Sequence, residues 1–223
     1  MGKVDFLKQS IIAHRGIYNN ITIYENTLES IMYAVKNNLI VEIDVRLTKD
    51  NKLIVFHDDT GTRLLKLKDN INSLTKEEID YYSNYTIPTL DRVLELVNER
   101  VPILIEIKDD NKLIRPILVK LLKNYKGKVA IQSFIYDEVI FYKKKGYISG
   151  LLISDKKNKK YLNKELKVDF LSIKYDILDK TKIKLLKEKY FIIGWTIDNR
   201  KDAEEYIKVY NNLIIDNIEE VFK

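Results

Sequence analysis

Short apolar runs alternate with segments of helical spacing along almost the whole chain. The runs fall at 10–15, 40–46, 53–57, 102–108, 128–133, 149–153, 169–174, 191–197 and 212–216, and each has the length of a strand. Between most of them apolar residues recur at helical intervals: Leu28, Ile31, Met32 and Val35; Leu90, Val93, Leu94 and Val97; Ile117, Leu118, Leu121 and Leu122; then Ile183, Leu185 and Leu186 ahead of Tyr190. Such alternation predicts a parallel sheet covered by helices. About eight strand–helix units fit a closed (β/α)8 TIM barrel. An open doubly wound sheet is the alternative, but no Gly-x-Gly-x-x-Gly loop follows the first strand and there is no Walker-type phosphate loop. Seven glycines and three prolines leave no flexible linker, so residues 1–223 read as one domain. The stretch 59–87 is the only sizeable excursion between strands, and Thr75-Lys76-Glu77-Glu78 marks a helix start within it.

Composition narrows the class. A chain that is 45% apolar and 32% charged is ordinary for a soluble globular protein. No apolar stretch is long enough to span a bilayer, and Met1-Gly2-Lys3-Val4-Asp5-Phe6 lacks a secretory apolar region, so a cytoplasmic location is expected. Without cysteine there are no disulfides and no thiolate ligands; any metal must be held by oxygen or imidazole. The net charge of +6 comes from scattered lysines, with clusters at Lys143-Lys144-Lys145 and Lys156-Lys157-Asn158-Lys159-Lys160. These show no regular aromatic interleaving and read as solvated surface rather than a nucleic-acid site, with peripheral membrane contact left open. Oligomeric state leaves no mark in the sequence.

The chain has only two histidines, His14 and His57, and each closes an apolar run. Histidine exchanges protons near neutrality, so the two make a candidate acid/base pair; half-buried structural histidines would occupy the same positions. The carboxylates add to the picture. Residues two apart in a strand share a face, which puts Glu42 with Asp44 and, in the run at 102–108, Leu104 with Glu106 and Lys108. In a parallel sheet covered on both faces such acids are not freely solvated. Burying unpaired carboxylates costs several kcal/mol each, roughly, so three that converge need a cation. Hard oxygen ligands suit Ca²⁺ or Mg²⁺. In a barrel, chemistry gathers at the C-terminal strand ends, where the three acids, both histidines, Arg15 and Lys108 are expected.

At these residues the chain resembles the glycerophosphodiester phosphodiesterase family. The matching segments are His14-Arg15-Gly16, Glu25-Asn26-Thr27, Glu42-Ile43-Asp44-Val45, Thr48-Lys49-Asp50, His57-Asp58, Ile87-Pro88-Thr89-Leu90, Glu106-Ile107-Lys108, Gln132-Ser133-Phe134 and Trp195-Thr196. Each alone is weak; the ordered set, from about residue 10 to about residue 216, is specific. The resemblance implies a barrel of the phospholipase-C-like phosphodiesterase type and a metal held by Glu42, Asp44 and Glu106. It implies His14 and His57 as acid and base, Arg15 and Lys108 as phosphate contacts, Glu25 as a site-shaping acid, and Gln132 and Trp195 in the substrate pocket.

The implied activity is metal-dependent hydrolysis of a glycerophosphodiester, a small-molecule substrate, to glycerol 3-phosphate and an alcohol. A neighbouring hydroxyl would attack phosphorus through a cyclic phosphate, with fixed geometry supplying on the order of 7–11 kcal/mol. Lysophospholipid or glycerol-phosphate polymer substrates, and a barrel that binds without turnover, are the competing readings. Some positions depart from the family pattern: Tyr24 stands where proline is usual, the continuation Asp58-Asp59-Thr60-Gly61-Thr62-Arg63-Leu64 differs, Ile214-Ile215-Asp216-Asn217 lacks the Thr-Asp-x-Pro ending, and the 59–87 excursion is short. They leave the substrate alcohol open.

Overall fold

The computed structural model describes residues 2–221. Eight parallel strands close on themselves: β1 (Ile12–His14), β2 (Ile40–Leu47), β4 (Ile103–Ile107), β5 (Val129–Ser133), β6 (Ile148–Ile153), β7 (Phe170–Lys174), β8 (Phe191–Ile197) and β9 (Asn212–Ile215). β9 pairs back onto β1 and β1 onto β2, which completes the ring. Helices α1 (Leu28–Lys36), α3 (Leu90–Val97), α4 (Ile114–Lys123), α5 (Tyr136–Lys144), α6 (Lys180–Lys187), α7 (Arg200–Tyr206) and α8 (Ile218–Val221) lie between or after the strands. The strand-length runs are all strands, some shorter than the pattern suggested. Between β6 and β7 the link is a 3-10 turn, Lys159–Asn163, which with the segment after it buries Leu162, Leu166 and Val168 in the outer core.

Each strand alternates its side chains between two cores. The odd positions of β2 and β4, Val41, Ile43, Val45, Ile103 and Ile105, pack outward against Ile31, Val35, Val93 and Leu118 of the helices. The inward set, Ile12, Ile40, Leu104, Ala130, Phe170, Ile193 and Ile214, fills the barrel, and Leu7 on an N-terminal 3-10 turn (Asp5–Lys8) packs with it. Asn212 fastens this turn, its Nδ2 donating to the carbonyls of Leu7 (2.5 Å) and Ser10 (2.7 Å). Gly150 is required here: a Cβ would lie 2.2 Å from the Phe170 ring. The helical stripes shift in two places. In α4 the fully buried positions are Ile114, Leu118 and Leu122, four apart, and in α6 only Ile183 is buried while Leu185 faces solvent.

The run at 53–57 is not a barrel stave. β3 (Leu53–Val55) pairs antiparallel with β2 in the register Val45↔Val55 and Leu47↔Leu53. Two parallel strands need a crossover of about a dozen residues or more. Thr48–Lys52 is far too short and instead makes a turn, with the Thr48 N–H bonded to the Lys52 carbonyl (2.9 Å) and Asn51 left-handed at φ 61°. The two histidines therefore do not occupy equivalent strand ends. The hairpin rises past the barrel rim and brings the chain back, so that the Phe56 N–H reaches the Asp44 carbonyl (3.0 Å) one residue before His57. The excursion that follows carries a small core of its own, Ile54, Phe56, Leu65, Ile71, Ile79 and Ile87. Its helix α2 (Lys76–Tyr82) begins with the Thr75–Glu78 capping box. Among the described residues no helix is long and apolar enough to cross a membrane.

Phe170 is the largest fully buried side chain inside the barrel, so Phe170→Ala should lower the unfolding free energy by about 3–5 kcal/mol. Urea denaturation measures it, and a loss below about 1 kcal/mol would contradict this packing.

Candidate active site

Parallel pairing sets the inward side chains side by side. His14 ending β1 stands opposite Glu42 on β2, and Asp44 stands opposite Glu106 on β4, which is in turn opposite Gln132 on β5. The three acids are 1%, 0% and 7% exposed, and one oxygen of each lies within 4.8 Å of the others. Lys108 Nζ is 2.7 Å from Glu106 and 3.4 Å from Asp44, and Arg15 Nε is 3.1 Å from Asp44. The two residues implied as phosphate contacts thus also hold the acids.

Three carboxylates against two cations leave one net negative charge in a dry place. Burial, then the neighbouring charges of Asp44 and Glu106, push the Glu42 carboxyl well above its usual range. Asp44 goes the other way: burial opposes its ionisation, but Lys108 and Arg15 hold it far below the usual carboxylate range. Its Oδ1 is buried and accepts no hydrogen bond. The donor set, all hard oxygen with one vacant lone-pair site, fits a divalent cation. With such an ion the group gains one net positive charge, the sign a phosphodiester anion requires.

Both histidines are tied to carboxylates. His14 Nδ1 lies 2.6 Å from Asp216 Oδ1, and His57 Nδ1 2.7 Å from Asp58 Oδ1. Burial alone would raise both acids, yet the bond to its histidine, joined by Arg63 at Asp58, holds each one below the ordinary aspartate range. An ionised carboxylate only accepts, so Nδ1 carries the hydrogen in both rings and Nε2 is the nitrogen left for chemistry. Tyr18 donates its hydroxyl to the same Asp216 oxygen (2.9 Å).

The loop after β1 is shaped around this pair. Arg15 (φ 57°), Gly16 (φ 85°) and Asn26 (φ 58°) are left-handed. At Gly16 any Cβ would strike the Ser30 backbone at 2.5 Å. Asn26 donates Nδ2 to Asp44 (2.9 Å). Glu25, 3% exposed, accepts from Arg15 Nη1 (2.6 Å), Asn20 Nδ2 (2.8 Å) and both terminal nitrogens of Arg63 (2.7 Å each). Burial opposes its ionisation, but these donors hold its carboxyl below the usual range. Gln132 donates to Glu42 (3.4 Å) and accepts from Ser172 (2.7 Å). Trp195 meets Phe134 edge-on at 5.7 Å, and its buried Nε1 has no hydrogen-bond partner.

All the candidate residues except Asp44 and Glu25 line one cavity of about 90 Å³, and those two brace it from behind. Sequence reasoning did not single out Asp216, Tyr18, Asn26, Arg46 or Arg63. Arg46 donates Nε and Nη2 to the His57 carbonyl (2.9 and 2.8 Å) and pairs with Asp59 and Asp109. Two signals were present: Asp216 ends the last strand, and Arg46 shares the inward face of Glu42 and Asp44.

The closed barrel thus carries at its mouth an acid triad that could bind a metal and two carboxylate-braced histidines. The sequence model of the Glycerophosphoryl diester phosphodiesterase family matches residues 14–218, and the chain belongs to that family. A glycerophosphodiester phosphodiesterase of Caldanaerobacter subterraneus subsp. tengcongensis is 28% identical over 91% of this chain and 91% of its own length. The crystal structure of a glycerophosphodiester phosphodiesterase from Thermotoga maritima matches with a TM-score of 0.80 at 26% identity, covering 95% of this chain and 96% of that one. An Oleispira antarctica phosphodiesterase, whose structure is a complex with the product sn-glycerol-3-phosphate, shares the fold at a TM-score of 0.79 and 22% identity over 93% and 92% of the two chains.

The raised Glu42 gives a test. In the metal-free protein Glu42 binds its proton more tightly when folded than when unfolded. Its stabilising contribution is therefore present below the ordinary carboxylate pKa and is lost as pH rises through the raised value. Glu42→Gln should raise the melting temperature of the chelated protein at pH 8 by about 2–4 °C, an effect that shrinks at pH 4. If the triad holds a divalent cation, that ion should stabilise wild type by about 2.7 kcal/mol at a hundredfold excess over Kd, and the same variant should lose this gain. A destabilised chelated variant that still responds to metal would overturn the site.

Proposed function

We propose that this protein hydrolyses glycerophosphodiesters to glycerol 3-phosphate and an alcohol, with Ca²⁺ or Mg²⁺ held by Glu42, Asp44 and Glu106. The observation that carries the reading is the meeting, in one small cavity, of two histidines that each commit Nδ1 to an aspartate beside buried acids and two cations. The ion, when bound, supplies Lewis-acid polarisation of phosphoryl and hydroxyl oxygens. Arg15 and Lys108 contribute fixed positive charge toward the phosphoryl group. Trp195 offers Nε1–H to a substrate oxygen, while Gln132 and Glu25 hold Glu42 and Arg15 in place.

The two histidines take different roles because they stand in different places. His14 lines the inner cavity, whereas His57 lines both that cavity and the larger groove beside it. With the glycerol arm inside, His14 Nε2 removes the proton of the attacking glycerol hydroxyl. His57, protonated on Nε2, gives its proton to the departing alcohol oxygen as the phosphorus–oxygen bond breaks. The five-membered cyclic phosphate is then opened by water, with His57 as base and His14 returning its proton to the ring oxygen.

Each general acid or base contributes roughly 10²–10⁴-fold, so His14→Ala and His57→Ala should each lose at least about a hundredfold in turnover. An ester whose leaving group is 4-nitrophenol needs no acid in the first step: in the single-turnover release of 4-nitrophenol His57→Ala should recover to within about tenfold of wild type while His14→Ala does not. Equal losses of both variants on that ester would reverse or remove the assigned order. Exhaustive chelation should abolish activity and Ca²⁺ or Mg²⁺ restore it; full activity without metal would refute the triad's role.

A further inference from the structure

The site cavity of about 90 Å³ opens beside a groove of about 910 Å³, and the two share His57, Glu106, Lys108 and Phe134 in their walls. The groove runs from the barrel mouth between the excursion and the loops after β4, β5 and β6. The neck of the excursion is closed by a Thr60–Asn70 bridge. A phosphodiester has two arms, and the residues common to both spaces are those that would face the phosphorus. We propose that the groove is the subsite of the leaving alcohol, and that it selects polyhydroxylated alcohols larger than glycerol. The inference rests on the phosphodiesterase reading above.

The chemistry of the lining carries the choice. Apart from Phe134, Ile107 and Ile135 the groove wall is polar, with Thr60, Asn70, Asn72, Asp59, Asp109 and Asp110 contributing amides, a hydroxyl and carboxylates. Amides both donate and accept and carboxylates accept, a mixture that matches hydroxyl groups, which do both. An alkyl alcohol would strip water from these groups without replacing its hydrogen bonds, and sites of this kind discriminate strongly against analogues lacking hydroxyls. The charges cancel only in part: Asp59 and Asp109 share Arg46, Glu106 pairs with Lys108 and Asp58 with Arg63, and Asp110 and Lys157 add one charge of each sign, which leaves one net negative charge. Lys157 also lies over the Phe134 ring at 5.3 Å. The net negative charge disfavours an anionic alcohol. The smaller cavity, which Leu152, Trp195 and Ile214 help to line, is sized for the glycerol arm.

The test compares metal-loaded enzyme on three glycerophosphodiesters, the inositol, cyclohexanol and choline esters. Inositol and cyclohexanol have the same ring and differ only in hydroxyls. Wild type should favour the inositol over the cyclohexyl ester at least tenfold in kcat/KM, and Asn72→Leu and Asp110→Ala should each cut that ratio at least threefold. Both residues are exposed, and a ratio taken on one protein does not depend on the fraction folded. Equal kcat/KM for the inositol and cyclohexyl esters would overturn the subsite. A tenfold preference for choline over inositol that Asp110→Ala removes would overturn the polyhydroxylated class in favour of a cationic one. Absence of turnover on all three esters would instead overturn the underlying reading of the site.

Discussion

Closing the barrel forces carboxylates from two neighbouring strands into one dry space, and the surrounding structure answers that charge. Removing an ion from water costs several kcal/mol, roughly, and three of one sign cannot share a low-dielectric site unanswered. Lys108 and Arg15 supply part of the compensation, two cations against three carboxylates, with Glu42 raised by burial and its acidic neighbours and Asp44 held down by the cations. Incomplete compensation is what a cation-binding site needs in its empty state. A fully neutralised triad would gain little from an ion, and an unanswered one would not fold.

From this centre the supporting shell follows. Arg15 can face Asp44 only if the backbone turns left-handed at Arg15 and Gly16, which brings the loop against Ser30 at the head of α1. The same arginine needs Glu25, and Glu25 needs Arg63, which reaches over from the excursion and also holds Asp58. Asp58 orients His57. Through Glu25 and Arg63, then, the loops carrying the two histidines are braced against each other, and the local strain of the left-handed residues is held by the buried ion pairs around them.

Much of this was legible in the chain. Period-two alternation placed Glu42 with Asp44 and Glu106 with Lys108, and strand–helix alternation called for a parallel closed sheet; both depend only on local geometry, which the residue order dictates. The hairpin at β3 was legible too, since five residues cannot cross a barrel, although the apolar run by itself looked like another stave. The stripes of α4 and α6 were less clear, because which of several apolar residues is fully buried depends on the strands beneath them.

What the order of residues could not decide is long-range partnership. His14 and Asp216 are 202 positions apart, and nothing in either segment names the other until β9 pairs with β1. Arg46 reads locally as an ordinary charged residue, yet its fork holds the His57 carbonyl because the hairpin folds that carbonyl over it. The division into a small cavity and a wide polar groove is likewise a property of which loops meet at the rim. Local chemistry and periodicity are written in sequence; charge balance, tautomer and the shape of the space between elements arise only when distant strands are brought into register.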